Sequence, residues 1–114
     1  MTPPTAPIEA GQALDIRVGT IVDAQPFPDA RKPSIRLCVE FGGTIGVKRS
    51  SAQITVHYAP DRLIGRQVVA VVNFPPRRIA GFESEVLVLG VPDENGAVVL
   101  LKPDLRVPDG GKMF

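Results

Sequence analysis

The chain has 114 residues, enough for one domain with one small core. Its 13 basic and 12 acidic residues leave a net charge of +1, which argues against a general polyanion coat. A single cysteine excludes an intrachain disulfide, and the longest purely apolar runs, Val68–Val72 and Ala97–Leu101, are far too short to cross a membrane as helices.

Met1–Gln12 lacks a basic start followed by an apolar stretch, so no signal peptide is expected and a soluble cytoplasmic protein is the default. The 11 glycines and 12 prolines fall as punctuation rather than as a repeat, which favours an all-β fold of short strands joined by turns. Met1–Pro7 carries three prolines and reads as extended. Ile8–Ala13 suits one helical turn, too short to be stable alone. Residues 1–13 are therefore expected to form an N-terminal arm ahead of one domain, 14–114.

Leu14, Ile16 and Val18 alternate with polar neighbours, the mark of a half-buried strand. The apolar residues resume at Ile21, and this change of parity predicts a bulge or bend at Gly19, as closure of a small barrel requires. Pro26–Asp29 ends the strand, and Ala30–Pro33 is a basic loop. Ile35, Leu37, Val39 and Phe41 alternate as a second strand, with Cys38 as a small buried hydrophobe. Gly42-Gly43 predicts a tight hairpin turn. The return strand, Thr44–Arg49, is expected to point Ile45 and Val47 inward and Lys48 outward.

Val56–Ile64 reads as loop, with a helical turn near Asp61–Ile64 stopped by Gly65. Val68–Phe74 and Val86–Leu89 are the fourth and fifth strands. Neither alternates, so both are expected to be buried on two faces or to lie near a barrel interior. Asn95-Gly96 suits a hairpin leading into a sixth strand, Val98–Leu101. Pro103–Phe114 is irregular, with a turn at Pro108–Gly111.

Between the fourth and fifth strands sit Asn73, Arg77, Arg78 and Ser84, hydrogen-bonding and cationic groups at the end of a rigid scaffold. A guanidinium offers planar, bidentate contact with phosphate. Asn73 and Ser84 suit either a base edge or sugar, or the tying down of their own loop, with tying favoured for Asn73. Lys48 and Arg49, followed by Ser51 and Gln53, read equally as charge protecting a strand edge or as a binding pair. Arg31 and Lys32 are either a solvated loop or a further phosphate contact. His57 has no second ligand type nearby, so no metal site is expected. Cys38 has no adjacent base to make it a nucleophile, and no glycine loop cradles phosphate. Glu83 and Glu85 would share a strand face, without the pocket that acid–base chemistry needs. The expectation is a binding protein, not an enzyme, with no cofactor and no small-molecule substrate.

The pattern Asn73-x-x-Pro76-Arg77-x-Ile79-x-Gly81-x-x-Ser84 resembles the signature of the tRNA-binding domain family. The longer strings Val72–Phe82, Lys48–Ile54 and Leu14–Gly19 are similar to the CsaA secretion-chaperone branch, from about Leu14 to the C-terminus. The resemblance implies a five-stranded OB-fold barrel with extensions and a homodimer. Many tRNA-binding members carry glycine and methionine where this chain has Val86-Leu87, and Glu85 sets a phosphate-repelling carboxylate beside the site. Two binding functions stand open, beside that of a structural dimer module that recruits other proteins. One is RNA (tRNA) binding through Arg31, Lys32, Lys48, Arg49, Ser51, Gln53, Asn73, Arg77, Arg78 and Ser84. With few aromatics, that mode would read shape and phosphate more than bases. The other is a peptide-binding export chaperone for unfolded preproteins, working beside the export machinery without membrane insertion. There, exposed Phe27, Phe74 and Phe82 would line a groove, or a strand edge would be augmented.

Overall fold

The structure, a computed structural model, describes residues 5–7 and 13–114. The expected helical arm over Ile8–Ala13 lies, apart from Ala13, outside the described residues. An eleven-residue strand, β1 (Ile16–Pro26), organises the rest because it is paired on both sides. Its first half, Ile16–Thr20, is antiparallel to β4 (Gln67–Val71), and its second half, Thr20–Pro26, is antiparallel to β2 (Ile35–Glu40). β2 pairs with β3 (Val47–Ala52), and β4 pairs with the short β7 (Leu87–Val88). The sheet order is β3-β2-β1-β4-β7. Its two ends meet through the Glu85 N–H, which donates to the Arg49 carbonyl at 2.8 Å, and through Ser50 Oγ, which donates to the Val86 carbonyl at 2.9 Å. The result is the nearly closed five-stranded barrel of an OB fold, as expected.

Strict alternation in β2 buries Ile35, Leu37 and Val39 and half-exposes Arg36, Cys38 and Glu40. These side chains meet Ile21, Val68, Ala70, Val86 and Leu100 in one aliphatic core. Each fully buried Leu, Ile or Val contributes about 1.5–3 kcal/mol relative to exposure. β4 is buried at every position except Val69, which fits its lack of alternation. The thiol of Cys38 falls on the outward side of β2, so this residue is half-buried rather than a core hydrophobe.

The ladder of β1 slips between the pairs Ile21↔Val39 and Asp23↔Cys38. The bulge therefore sits at Val22, not at Gly19. Gly19 serves another need: a Cβ there would stand 2.6 Å from Val39 Cγ1 and 2.8 Å from Phe41 Cδ1. The glycine lets two core side chains rest on the β1 backbone.

The β2–β3 hairpin is present, but its connection runs from Phe41 to Gly46, longer than a Gly42-Gly43 turn. Glu40 consequently faces Val47, and the alternation of β3 is the reverse of that expected. Lys48, Ser50 and Ala52 oppose Val39, Leu37 and Ile35, whereas Val47 is 51% exposed. A one-residue change of register moves every side chain to the other face.

A single helical turn, α1 (Pro60–Leu63), starts on a proline, whose fixed φ suits the first helical position. Its Leu63 is fully buried in the barrel core. The connection between β4 and β7 holds a hairpin absent from the expectation, β5 (Arg77–Ile79) with β6 (Phe82–Ser84). Its turn residues, Ala80 and Gly81, both have positive φ (46° and 81°), as a two-residue hairpin of this hand requires. The expected hairpin at Asn95-Gly96 joins β8 (Gly90–Pro92) to β9 (Val98–Leu100). The Asp93 carboxylate accepts the Asn95 and Ala97 N–H groups there, both at 2.9 Å.

The irregular C-terminal segment is strapped along β1, where β2 has left off. The Val18 N–H donates to the Gly111 carbonyl (2.9 Å), the Gly110 N–H to the Val18 carbonyl (2.7 Å), and the Met113 N–H to the Ile16 carbonyl (2.8 Å). Thr20 Oγ1 adds a bond to Asp109 at 2.6 Å. Gly110 has φ +89°, and a Cβ there would stand 2.5 Å from the Phe41 carbonyl oxygen. Among the described residues no helix is long and apolar enough to cross a membrane.

Candidate functional site

The β5–β6 hairpin leans over the end of β3, opposite the basic loop Ala30–Pro33. A groove of about 490 Å³ lies between them. Its floor is apolar (Ile54, Ile79, Val98, Leu100), and its rim carries Arg31, Lys32 and Arg77 with Ser51 and Gln53. No carboxylate is among the residues that line it. A cavity of about 300 Å³ adjoins it, sharing Ser51 and Arg77 and adding Phe74, Ser84 and Glu85. The fold thus brings Arg31, Lys32, Ser51, Gln53, Phe74, Arg77 and Ser84 together around two contiguous hollows. Among the described residues, Arg31, Lys32, Arg77 and Arg78 take part in no salt bridge.

Backbone and side-chain bonds set the hairpin in place. The Ser51 N–H donates to Ser84 Oγ at 3.1 Å, and the Arg49 N–H donates to Glu85 Oε1 at 3.0 Å. Within the hairpin, Arg77 stands opposite Ser84 and Arg78 opposite Glu83. Ser50 and Glu85 were not singled out from sequence as ties. Ser50 carried no such signal, because the expected alternation, with Val47 inward, would point it outward.

Lys48 and Arg49 do not line either hollow. The Lys48 ammonium lies 3.9 Å from Glu85, and the Arg49 guanidinium lies 3.5 Å from Glu85 and 3.8 Å from Glu83. The same guanidinium is 5.4 Å from the centre of the Phe82 ring. Exposed pairs of this kind contribute about 0–1 kcal/mol to stability.

Asn73 lines neither hollow and ties the chain instead. Its side-chain oxygen accepts the Asp15 N–H at 2.9 Å, and its amide donates to the Ala13 carbonyl at 2.8 Å. Phe27 is only 4% exposed, so the expectation of an open Phe27 is corrected. Its ring packs edge-on against Phe82, 5.4 Å between centres, beneath the Arg36 guanidinium. Phe82 is half-buried in that stack, which leaves Phe74, 42% exposed, as the accessible ring of the three. Sequence alternation cannot show such a stack, because Phe27 lies in a loop.

Two further contacts between a basic side chain and a carboxylate lie outside the groove. The Arg17 guanidinium donates to Asp15 at 2.6 Å, and this hydrogen bond holds the Asp15 carboxyl below its ordinary value. His57 Nε2 lies 2.7 Å from Asp93 Oδ2. That bond, with those from the Ala97 and Asn95 N–H groups, holds the Asp93 carboxyl below its ordinary value.

Comparison with known proteins matches residues 16–112 to the family model of the tRNA binding domain. The methionine–tRNA ligase of Methanothrix thermoacetophila is 44% identical over 108 residues, covering 94% of this chain and 15% of the ligase. That of Porphyromonas gingivalis is 36% identical over 100 residues, 88% of this chain and 14% of the ligase. The chain thus spans about one seventh of the length of these curated relatives. The crystal structure of the chaperone CsaA from Bacillus anthracis superposes with a TM-score of 0.91 at 54% identity, covering 97% of this chain and 100% of that one. The CsaA chaperone from Picrophilus torridus gives 0.89 at 47% identity, covering 96% and 100%. With the barrel, the Arg77–Ser84 hairpin and the match over residues 16–112 all in agreement, the chain belongs to the tRNA-binding domain family, in the branch that holds the CsaA chaperones.

Proposed function

We propose that this protein is a CsaA-like molecular chaperone of protein export, a cytoplasmic homodimer that binds tRNA, unfolded preproteins or both in the groove under the β5–β6 hairpin. The observation that carries the reading is the cationic rim of Arg31, Lys32 and Arg77 around an apolar floor, with no carboxylate among the lining residues. Arginine on the rim suits phosphate, and the floor suits the aliphatic side chains of an unfolded segment. Ser51, Gln53 and Ser84 add neutral hydrogen-bonding groups, and Arg78 adds a cation on the exposed side of the hairpin. Phe74 is the one aromatic residue that lines either hollow, so RNA recognition there rests on backbone shape and charge.

A net charge of +1 makes one copy a weak partner for a polyanion. A two-fold dimer doubles the rim and lets two grooves span one folded RNA. Exposed Leu101, Leu105, Val107, Met113 and Phe114 supply an apolar surface that a second copy would cover, with residues 1–13 as an added arm to the 14–114 domain. The role calls for binding alone, without a catalytic group, cofactor or small-molecule substrate.

The test is a filter-binding titration with total tRNA across a salt series, competed by an unfolded preprotein. Log affinity for tRNA is expected to fall linearly with log salt. The triple variant Arg31→Ala, Lys32→Ala, Arg77→Ala is expected to flatten that slope. Competition by preprotein supports the chaperone role, and its absence leaves a dedicated tRNA-binding protein. Wild-type RNA uptake by the triple variant would overturn the site.

A further inference from the structure

Three basic pairs punctuate the chain, yet only one is neutralised within the fold. Arg31-Lys32 and Arg77-Arg78 are in no salt bridge among the described residues. Lys48-Arg49 faces two carboxylates from the opposing hairpin: Glu85 reaches both side chains, at 3.9 and 3.5 Å, and Glu83 reaches Arg49 at 3.8 Å. Glu85 is also the one acidic residue lining the smaller cavity, beside Ser51, Arg77 and Ser84.

We propose that Glu83 and Glu85 are specificity-determining residues that mask the Lys48–Arg49 pair, so that the pair meets phosphate only when a polyanion displaces the two carboxylates. The inference rests on the phosphate-binding reading of the site and says what limits it. All four side chains are between about one quarter and one half exposed, so their mutual attraction is screened by water and salt. The mask is therefore displaceable. A dense polyanion, with many phosphates to offer, competes for the pair, and a ligand with one isolated negative group does not. Glu85 adds repulsion of its own at the cavity wall. This arrangement lowers affinity for phosphate without removing a single cation, and it leaves the apolar floor untouched for a polypeptide.

The geometry also supplies a clean variant. Glu85 Oε1 accepts the Arg49 N–H, and a glutamine at this position keeps an oxygen acceptor there while losing the charge. The double variant Glu83→Gln, Glu85→Gln is expected to bind tRNA roughly three- to tenfold more tightly at low salt and to steepen the log–log salt dependence by about one to two. Heparin retention provides a second polyanion, with later elution expected for the double variant. Lys48→Ala with Arg49→Ala decides whether the gain comes from unmasking. These changes should lower tRNA affinity less in the wild-type background than in the Gln background, where they should abolish the whole gain. A purely structural role for the glutamates would give no such dependence on background.

Unchanged salt slope and unchanged heparin elution in a folded double variant would overturn the mask, even with wild-type tRNA binding intact. If the wild-type protein ignores tRNA, the function proposed above fails, and heparin retention still decides the mask.

Discussion

Ser84 Oγ accepts the backbone N–H of Ser51, 3.1 Å away, and so fastens the β5–β6 hairpin to β3 across 33 residues of sequence. Arg77 is the cross-strand partner of Ser84, so this bond helps to set where the Arg77 guanidinium stands on the groove's rim. Ser84→Ala leaves a half-buried N–H without its partner. The expected loss is about 1 kcal/mol of stability, read by urea unfolding. A fall in tRNA affinity should accompany it, because Arg77 loses its fixed position. Retention of full affinity would show that the hairpin holds without this bond.

Gly19→Ala should cost about 1–3 kcal/mol, because the new methyl would overlap Val39 and Phe41 in a core that has little room to shift. The thermal midpoint measures it. Phe41→Leu in the same chain should recover part of the loss by vacating one of the two contacts. Failure of that rescue would locate the strain elsewhere.

Ala80 has φ +46° without being glycine. Ala80→Gly is expected to stabilise the protein by about 0.5–1 kcal/mol, since the strain removed exceeds the added freedom of the unfolded chain. Chemical denaturation at constant slope is the readout, and a destabilised variant would contradict the turn geometry.

Asp93 has its carboxyl held below 3.8 by the His57 hydrogen bond first, and then by the N–H groups of Ala97 and Asn95. Its folded-state value is depressed, so its contribution to stability is complete above 3.8 and is lost as pH falls through the lower folded value. His57→Ala should move the Asp93 titration upward, while the two backbone donors go on holding it down. Carbon-13 NMR of the carboxyl follows this directly. An unmoved titration would mean that His57 does not bind Asp93 in solution.

The inner face of β2 was legible in the sequence, because alternation of Ile35, Leu37 and Val39 has one physical meaning. The face of β3 was not. It depends on how many residues Gly42-Gly43 opens into, and glycine marks a turn without fixing its length. The β5–β6 hairpin escaped notice because each strand is three residues long and one turn position is alanine. Of the site, the cationic loop and Arg77 were visible as residue types at loop ends, and the fold brings them to one groove. The pairing of Lys48 and Arg49 with Glu83 and Glu85 was hidden, because it joins segments more than thirty positions apart. Phe27 was misread as open for the same reason: only the tertiary stack with Phe82 and Arg36 covers it.

The strap over β1 has a bearing on how the molecule is made. The Arg17 guanidinium waits for a carbonyl 93 positions downstream, at Gly110, and the neighbouring β1 amide of Val18 waits for Gly111. A nascent chain can assemble its middle hairpins while translation continues, but its first strand stays half-paired until those glycines have been synthesised. The barrel can close between Arg49 and Glu85 before then, and the strap follows as a separate, later step that covers the open side of β1.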